Sequence, residues 1–505
     1  MDRAKPAITK PTTTKPAMTK PENKRPVNAK PEKRSPPRPP SISLRPSGGG
    51  RPSGRPTFGD RPTFGDRPGP DRRPAAVPRH RASDAYGNPY GDDSKPAHRD
   101  EVAGGTGPRQ RRAFSTLGGP VELGGDATAS RALGKLFDVD PGLARALTHG
   151  FHSYAGRMHP TIARGGVAAF SAAGDLVVDP FCGSGTVLVE ALAAGRRAVG
   201  VDASPLGVAI ARARTTVLGA PGRARLEAEA ATIAEASGER ARKRRRPELP
   251  EWSRNELGRF HAHVLFELLG LRELVLATPN DDVGHALRLC LSSLLVKFMK
   301  SGPEAPRDGE TKRIARGIPS RMLADRAVEL SHGLAALEAR TPAGTPAPRV
   351  LIGDARNLDA VGKGEAALVL SSPPYAGTYD YAALHDVRFT WLELPRSRFR
   401  DTQLGTREGA AGISARVWRD AQKRWIGEIA RVLRPGGHAL LVVGDGIVDN
   451  EVEDAPDGVA SAAVPLGLEP VARASQGRPI HDGRVRAVFG ERPRREHLLL
   501  LRKAR

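Results

Sequence analysis

Five short runs rich in branched apolar residues, LVVDPF (176–181), AVGVDAS (198–204), RVLIGDAR (349–356), AALVLSSPPY (366–375) and HALLVVGD (438–445), each stop at a turn-forming group. Stretches with helical spacing of apolar residues separate them. Runs that are apolar at successive rather than alternate positions suit strands covered on both faces. Their alternation with helices predicts a doubly wound, mostly parallel α/β sheet. Regular structure is expected from about Ala113, and LGKLFDVDPGLARALTHGF, from Ala132 onward, has helical spacing. Roughly 140 residues lie between the second and third runs, too many for one crossover. EWSRNELGRFHAHVLFELLGLRELVL and HALRLCLSSLLVKFM in that interval are helical in pattern. A helical insertion is therefore expected over 219–340, dividing a domain whose two parts span 113–218 and 341–505. The last run, RREHLLLLRK (494–503), predicts a strand that finishes the sheet in an antiparallel hairpin.

Residues 1–112 are of a different kind. The whole chain of 505 residues carries 79 Lys and Arg against 56 Asp and Glu, yet residues 1–81 alone hold 20 against 6. A Thr-Lys-Pro pulse gives way to the direct repeat RPTFGD at 55–60 and 61–66. Proline every few residues blocks both helix and central strand, which predicts an extended, polyproline-like, disordered tail over 1–112. Such a tail reads as a non-specific polyanion tether whose affinity falls with salt, or as a solubilising extension. The net charge of +23 favours acidic partners. No apolar run reaches the ~18 residues of a membrane span, and MDRAKPAITKP lacks a signal-peptide core. A cytoplasmic protein without a membrane partner is expected, nucleoid-associated if its partner is DNA. Two cysteines, Cys182 and Cys290, are too few for a disulfide framework or a cysteine zinc site, and no metal is expected.

The sequence DPFCGSGTVLVEAL (179–192) sits where a strand should end and a helix begin. Gly183 and Gly185 let backbone approach a ligand closely, while Ser184 and Thr186 are candidate helix caps. Neither a G-x-G-x-x-G dinucleotide turn nor a Walker loop is present. The turn opens instead on an acidic residue, Asp179, which disfavours a pyrophosphate and suits a cationic ligand. Asp202 stands 23 residues later, at the end of the second run, where an acidic side chain can accept hydrogen bonds from two ribose hydroxyls; the competing reading is that Asp202 or Ser204 caps the next helix. At the end of the fourth run, SSPPY (371–375) places two prolines before an aromatic ring. The prolines fix the backbone and remove N–H donors, leaving carbonyl acceptors beside a ring that can stack on a base.

DPFCGSGT resembles motif I, and SPPY resembles motif IV, of class I S-adenosylmethionine-dependent methyltransferases of the N4-cytosine/N6-adenine DNA methylase superfamily. The resemblance covers about residues 150–503. It implies a seven-stranded Rossmann-like sheet, S-adenosylmethionine as cofactor, and an exocyclic base amine as the acceptor. It further implies cofactor roles for Asp179, Gly183, Ser184, Gly185, Thr186 and Asp202, an adenine contact for Asp354, and an apolar cofactor face for Phe181. FHSYAGRMHPTIAR (151–164) is similar to the family's N-terminal cofactor segment, making Arg157 and His159 candidates near the methionine carboxylate.

An exocyclic amine is a weak nucleophile because its lone pair is conjugated into the ring. Catalysis must hold both amine hydrogens and draw the nitrogen toward tetrahedral geometry. The Ser372 hydroxyl and Pro373 carbonyl are the candidate acceptors, Pro374 shapes the loop, and Tyr375 stacks on the base. Tyr379 and Tyr381 are candidates for the base pocket, or else core aromatics. No cysteine nucleophile is needed, and Cys182 and Cys290 read as packing. RARKRRRP (240–247), within the insertion, is read as phosphate-binding or as a solvated connection, and target recognition is assigned to the insertion by elimination. Serine before the prolines leans toward cytosine N4, and DNA is favoured as partner. The alternatives are an RNA enzyme related to the guanine-N2 methyltransferases of tRNA, and a non-catalytic nucleic-acid-binding protein that keeps the fold.

Overall fold

The structure, a computed structural model, describes residues 118–245, 247–305, 314–406, 413–480 and 483–505. The tail expected over 1–112, the start expected at Ala113 and position 246 of the basic run lie outside them. The described residues belong to one unit, Asn88–Arg505. Its strands are β1 (Gly118–Gly125), β2 (Leu176–Asp179), β3 (Arg197–Asp202), β4 (Arg349–Ile352), β5 (Ala366–Ser371), β6 (Leu433–Gly444), β7 (Gly446–Val448), β8 (Glu451–Glu453), β9 (Leu468–Arg478) and β10 (Arg494–Lys503). Eight of them form one sheet in the order β1-β9-β10-β6-β5-β2-β3-β4, while β7 and β8 make a separate hairpin.

The five predicted runs are β2 to β6, and every contact among them is parallel. β10 pairs antiparallel with β6, as its terminal position suggested. The sheet has one strand more than the seven expected, because β1 adds itself antiparallel to β9 at the edge. Helices cover both faces. On one face α1 (Ala127–Lys135), α2 (Pro160–Phe170), α3 (Thr186–Ala193) and α4 (Pro205–Thr215) bury Val177, Leu368, Leu440 and Leu500. The next residues along those strands, Val178, Val369, Leu441 and Leu501, point into a second core against later helices. The two-residue period of a strand thus feeds two cores, which is why the runs are apolar without alternation.

Between β3 and β4 the chain forms α5 (Gly219–Arg242), α6 (Arg254–Leu257), α7 (Ala262–Leu276), α8 (Asp282–Phe298) and α9 (Ile318–Arg340). Leu268, Leu287, Leu291 and Leu330 are buried there in a core of their own, at about 1.5–3 kcal/mol for each large side chain removed from water. That core also takes in Phe151, Val387, Phe389 and Trp391, so it touches the segments before β2 and after β5. The segment after β5 contains α10 (Tyr381–Leu384), α11 (Asp386–Trp391) and α12 (Ser397–Thr402). α13 (Ala415–Val432), α14 (Ala455–Ala463) and α15 (Gly483–Phe489) complete the unit. Among the described residues no helix is long and apolar enough to cross a membrane.

Candidate active site

β2 ends at Asp179, and the chain turns through Gly183 (φ 46°) and Gly185 (φ 79°) into α3. Both angles lie in the left-handed region, and a Cβ on Gly185 would come within 3.0 Å of the Ala211 backbone, so glycine is required. Ser184 and Thr186 do not cap this helix: Gly185 holds the N-cap position and no side chain caps it. The Ser184 hydroxyl instead accepts from Arg214 Nη1 at 3.0 Å, and Thr186 is the first helical residue.

Asp179 and Asp202 end adjacent parallel strands and face the same turn. Asp179 Oδ1 accepts from the Ser371 hydroxyl at 2.6 Å and from the Phe181 N–H at 3.2 Å. Burial pushes its carboxyl up to about 7 against the pull of those two hydrogen bonds. Asp202 Oδ2 accepts from the Gly183 N–H and Oδ1 from the Ser204 N–H, each at 2.7 Å. Burial raises it as well, to about 6. Each Asp202 oxygen spends one lone pair on backbone and keeps another for a hydroxyl. The N-cap of α4 is Ser204, whose Oγ accepts from the Gly207 N–H at 3.2 Å, rather than Asp202.

Behind the turn lies a buried polar network. Arg214, with no exposed surface, donates to the Ser184 carbonyl and hydroxyl, to the Thr148 carbonyl (3.0 Å), and to His149 Nδ1 (2.6 Å). Arginine has no acceptor, so Nδ1 is the unprotonated nitrogen and Nε2–H donates to Glu190 at 2.8 Å. Burial holds His149 neutral, with its pKa down at about 4. Glu190 also receives Arg164 at 3.0 Å. Of these residues only Ser184 was a candidate from sequence. The partners of the others lie up to 66 positions away, and nothing local tells Arg214 from Arg212 in the same helix.

A cleft of ≈ 850 Å3 opens above the turn. It is lined by Asp179, Phe181, Gly183, Ser184, Thr186, Asp202, Asp354 and Arg157 from the cofactor candidates, and by Ser372, Pro374 and Tyr381 from the others. Gly185, His159, Pro373, Tyr375 and Tyr379 do not line it. Gly185 acts through the turn. His159 is the N-cap of α2, its Nδ1 accepting from the Thr161 N–H at 3.2 Å, so its ring is spent on helix initiation. Arg157 Nη1 donates to the His149 and His152 carbonyls while its side chain borders the cleft. The Asp354 carboxylate is gripped by Arg356 through Nε (2.9 Å to Oδ1) and Nη2 (2.6 Å to Oδ2). Burial alone would raise Asp354, but Arg356 holds it below the usual carboxylate range. Phe181 meets Trp425 edge-on at 5.7 Å. The thiols Cys182 and Cys290 are both buried and pushed up by burial, as packing residues would be.

Ser371 closes β5 and is fully buried; Pro373 is buried, and Ser372 and Pro374 reach the cleft. Tyr375 points toward the antiparallel half of the sheet. Its ring lies against Gly444, where a Cβ would come within 2.5 Å of Cε2, and its hydroxyl donates to Glu496 Oε2 at 3.0 Å. Tyr381 and Tyr379 pack ring to ring at 5.4 Å, and Tyr381 lies nearly parallel to Tyr154 at 6.3 Å. Phe399, Thr402, Gln403 and Leu404 form a further wall that sequence reading missed, because α12 is short and mostly polar.

The family model described as DNA methylase matches residues 152–212, from the segment before β2 through the glycine turn to α4. Over this segment the chain is similar to that family. The Type II methyltransferase M.MjaII of Methanocaldococcus jannaschii is 36% identical over 66 residues, 13% of this chain and 12% of that relative's length. Solved structures that resemble the chain include TrmN from Thermus thermophilus, with 13% identity, 68% of this chain and 49% of that one covered, and a TM-score of 0.28. A DNA modification methylase from the same organism is 21% identical over 30% of this chain and 51% of its own, with a TM-score of 0.18. Within the matched segment lie Asp179, Gly183, Gly185 and Asp202, the residues that shape the cleft floor.

The donor set fits S-adenosylmethionine. A buried carboxylate, Asp179, offers negative charge for a cation, Asp202 has lone pairs left for ribose, and Phe181 and Asp354 line the same cleft, where an adenosyl group would lie.

Proposed function

We propose that the chain transfers a methyl group from S-adenosylmethionine to an exocyclic amine of a nucleic-acid base, with DNA as the favoured substrate and cytosine N4 or adenine N6 as the acceptor. The observation that carries this reading is the 2.6 Å hydrogen bond from Ser371 to Asp179. It links the first residue of the Ser-Ser-Pro-Pro-Tyr loop to the acidic head of the glycine turn, so both motifs open on one cleft. Both motifs are intact and share that cleft, which disfavours a purely non-catalytic binding role.

When bound, the cofactor supplies an activated methyl group on a sulfonium. The chain's residues have two tasks. Asp179 offers negative charge near the cationic end, and Asp202 accepts the ribose hydroxyls. On the other side, the Ser372 hydroxyl and Pro373 carbonyl accept the two amine hydrogens, which localises the nitrogen lone pair for attack. On taking up the methyl group the nitrogen would carry one proton too many, which the Ser372 hydroxyl and the Pro373 carbonyl would hold in a hydrogen bond until it passes to water. In a duplex the base must leave the stack to reach the cleft. We assign target recognition to the insertion, α5 to α9, because its core also packs α11 just after the catalytic loop.

The deciding experiment is transfer of labelled methyl groups from S-adenosylmethionine to DNA and, in parallel, to RNA, followed by mapping of the modified base. Label on cytosine N4 or adenine N6 of DNA is the expected result. Label on guanine N2 of tRNA would replace this reading with the RNA one, and no transfer with no cofactor binding would overturn both.

A further inference from the structure

Tyr375 is held by β9 and β10 as well as by Ser372 of its own loop. Glu496 on β10 receives its hydroxyl, and Arg478, the last residue of β9, lies over its ring with Cζ 5.4 Å from the centroid. Arg478 Nη2 donates to the Tyr379 hydroxyl at 3.3 Å. Nη1 is 3.6 Å from Glu496 and has no hydrogen-bond partner among the described residues, although only 14% of the side chain is exposed. Withdrawing a cationic N–H from water without an acceptor is costly, which makes sense if an acceptor arrives with the substrate.

At 5.4 Å the guanidinium is too far to lie flat on the centre of the ring. It stands over a face of the ring, so a base brought to that face would have it as a neighbour. A planar group there meets the base at its edge, where hydrogen bonds are read.

We propose that Arg478 is a specificity-determining residue that donates through Nη1 to the ring nitrogen next to the target amine, so that the substrate must carry an acceptor at that position. The inference rests on the function proposed above and narrows it. Cytosine presents N3 beside its amine with O2 adjacent, a pair that matches two parallel N–H donors. Adenine presents N1 alone, and guanine presents the N1–H donor on the Watson–Crick side of its amine, its acceptor N3 lying on the other side. Cytosine is therefore preferred, adenine accepted less well, and guanine rejected.

The test uses the full chain and a duplex oligonucleotide containing the mapped site, with the target base either natural or replaced by 3-deazacytosine (1-deazaadenine if adenine is the target). The wild type should lose about 10- to 100-fold in kcat/KM on the deaza base, the range of one good edge contact. Arg478→Met should lose a similar factor on the natural base and little more on the deaza base, while its affinity for S-adenosylmethionine stays unchanged because Arg478 does not line the cofactor cleft. Multiplying losses, or equal rates of the wild type on both bases, would overturn the inference and leave the methyltransferase reading standing. Should Arg478→Met fail to fold, Arg478→Gln and the wild-type comparison on the two bases still decide it. Failure of the wild type to methylate any nucleic acid would remove the function itself.

Discussion

Asp202 already holds two backbone N–H groups, those of Gly183 and Ser204, so it shapes the glycine turn as well as offering lone pairs to a ligand. Asp202→Ala should weaken S-adenosylmethionine binding by roughly 1–3 kcal/mol, measured by calorimetry. The pH dependence has a fixed sign. Asp179 and Asp202 titrate near 7 and 6, both raised above ordinary aspartate, and the ionised forms suit a cationic, hydroxyl-bearing ligand. Cofactor affinity should rise as pH goes from 5 to 8, with proton release visible as a dependence of the binding enthalpy on buffer. Folding runs the other way: between the unfolded and folded values the native state binds more protons, so the ligand-free Tm should fall over the same interval. Parallel trends in affinity and Tm would show that other groups dominate. At the catalytic loop, Tyr375→Ala should impair turnover while cofactor affinity stays within a few fold, because base stacking is worth about 1–3 kcal/mol. Substitution of Pro373 should be more harmful, since it frees the backbone that aims the acceptor carbonyl. Ser372→Ala should be milder unless its hydroxyl shares the amine equally with that carbonyl. Full methyl transfer by the Pro373 and Tyr375 variants would make this loop structural.

Elements explain what was legible in the sequence. β2 to β6 were readable because strands buried on both faces need uninterrupted apolar runs, and their functional turns come directly after them. β9 was not: LEPVARASQGR mixes small, charged and apolar residues, and its pairing is written in β10 and β1 rather than in itself. β1, GGPVELGG, has four glycines and a proline and is a strand only because an open edge was available. The site divides in the same way. The residues within DPFCGSGT and SPPY are local and were found, whereas Arg214, Glu496 and Arg478 act on partners 30 to 121 positions away. A prediction follows from the network behind α3. Arg214→Met should leave the Ser184 and Thr148 carbonyls without their buried donor and cost on the order of 3 kcal/mol, seen as a lower Tm together with weaker cofactor binding. Arg214→Lys, which restores a charge but not the fork, should recover only part of either. Unchanged cofactor affinity in both variants would show that the network stabilises the fold without positioning the turn.

At the scale of the whole molecule, charge is distributed unevenly: residues 1–81 carry 20 Lys and Arg against 6 Asp and Glu, a large part of the chain's net +23. Within the insertion, the basic run at 240–247 is partly neutralised, with Arg240 paired to Glu273 and Lys243 to Glu239. Its helix, α5, packs against α7, α8 and α9, and none of these lines the cleft. Contacts to phosphate far from the target base add affinity and salt dependence in proportion to the charges neutralised, and carry no sequence information. A chain lacking residues 1–112 should therefore bind nucleic acid more weakly at low salt, with a shallower slope of log affinity against log salt, and still modify the same base in the same context. Cofactor affinity should be unaffected, because among the described residues every one that lines the cleft lies beyond position 150. Binding titrations at several salt concentrations, beside mapping of the methylated site for both lengths of chain, make the comparison. A changed site after truncation would place sequence recognition in the tail and remove it from the insertion, whereas an unchanged salt slope would leave the tail as a solubilising extension.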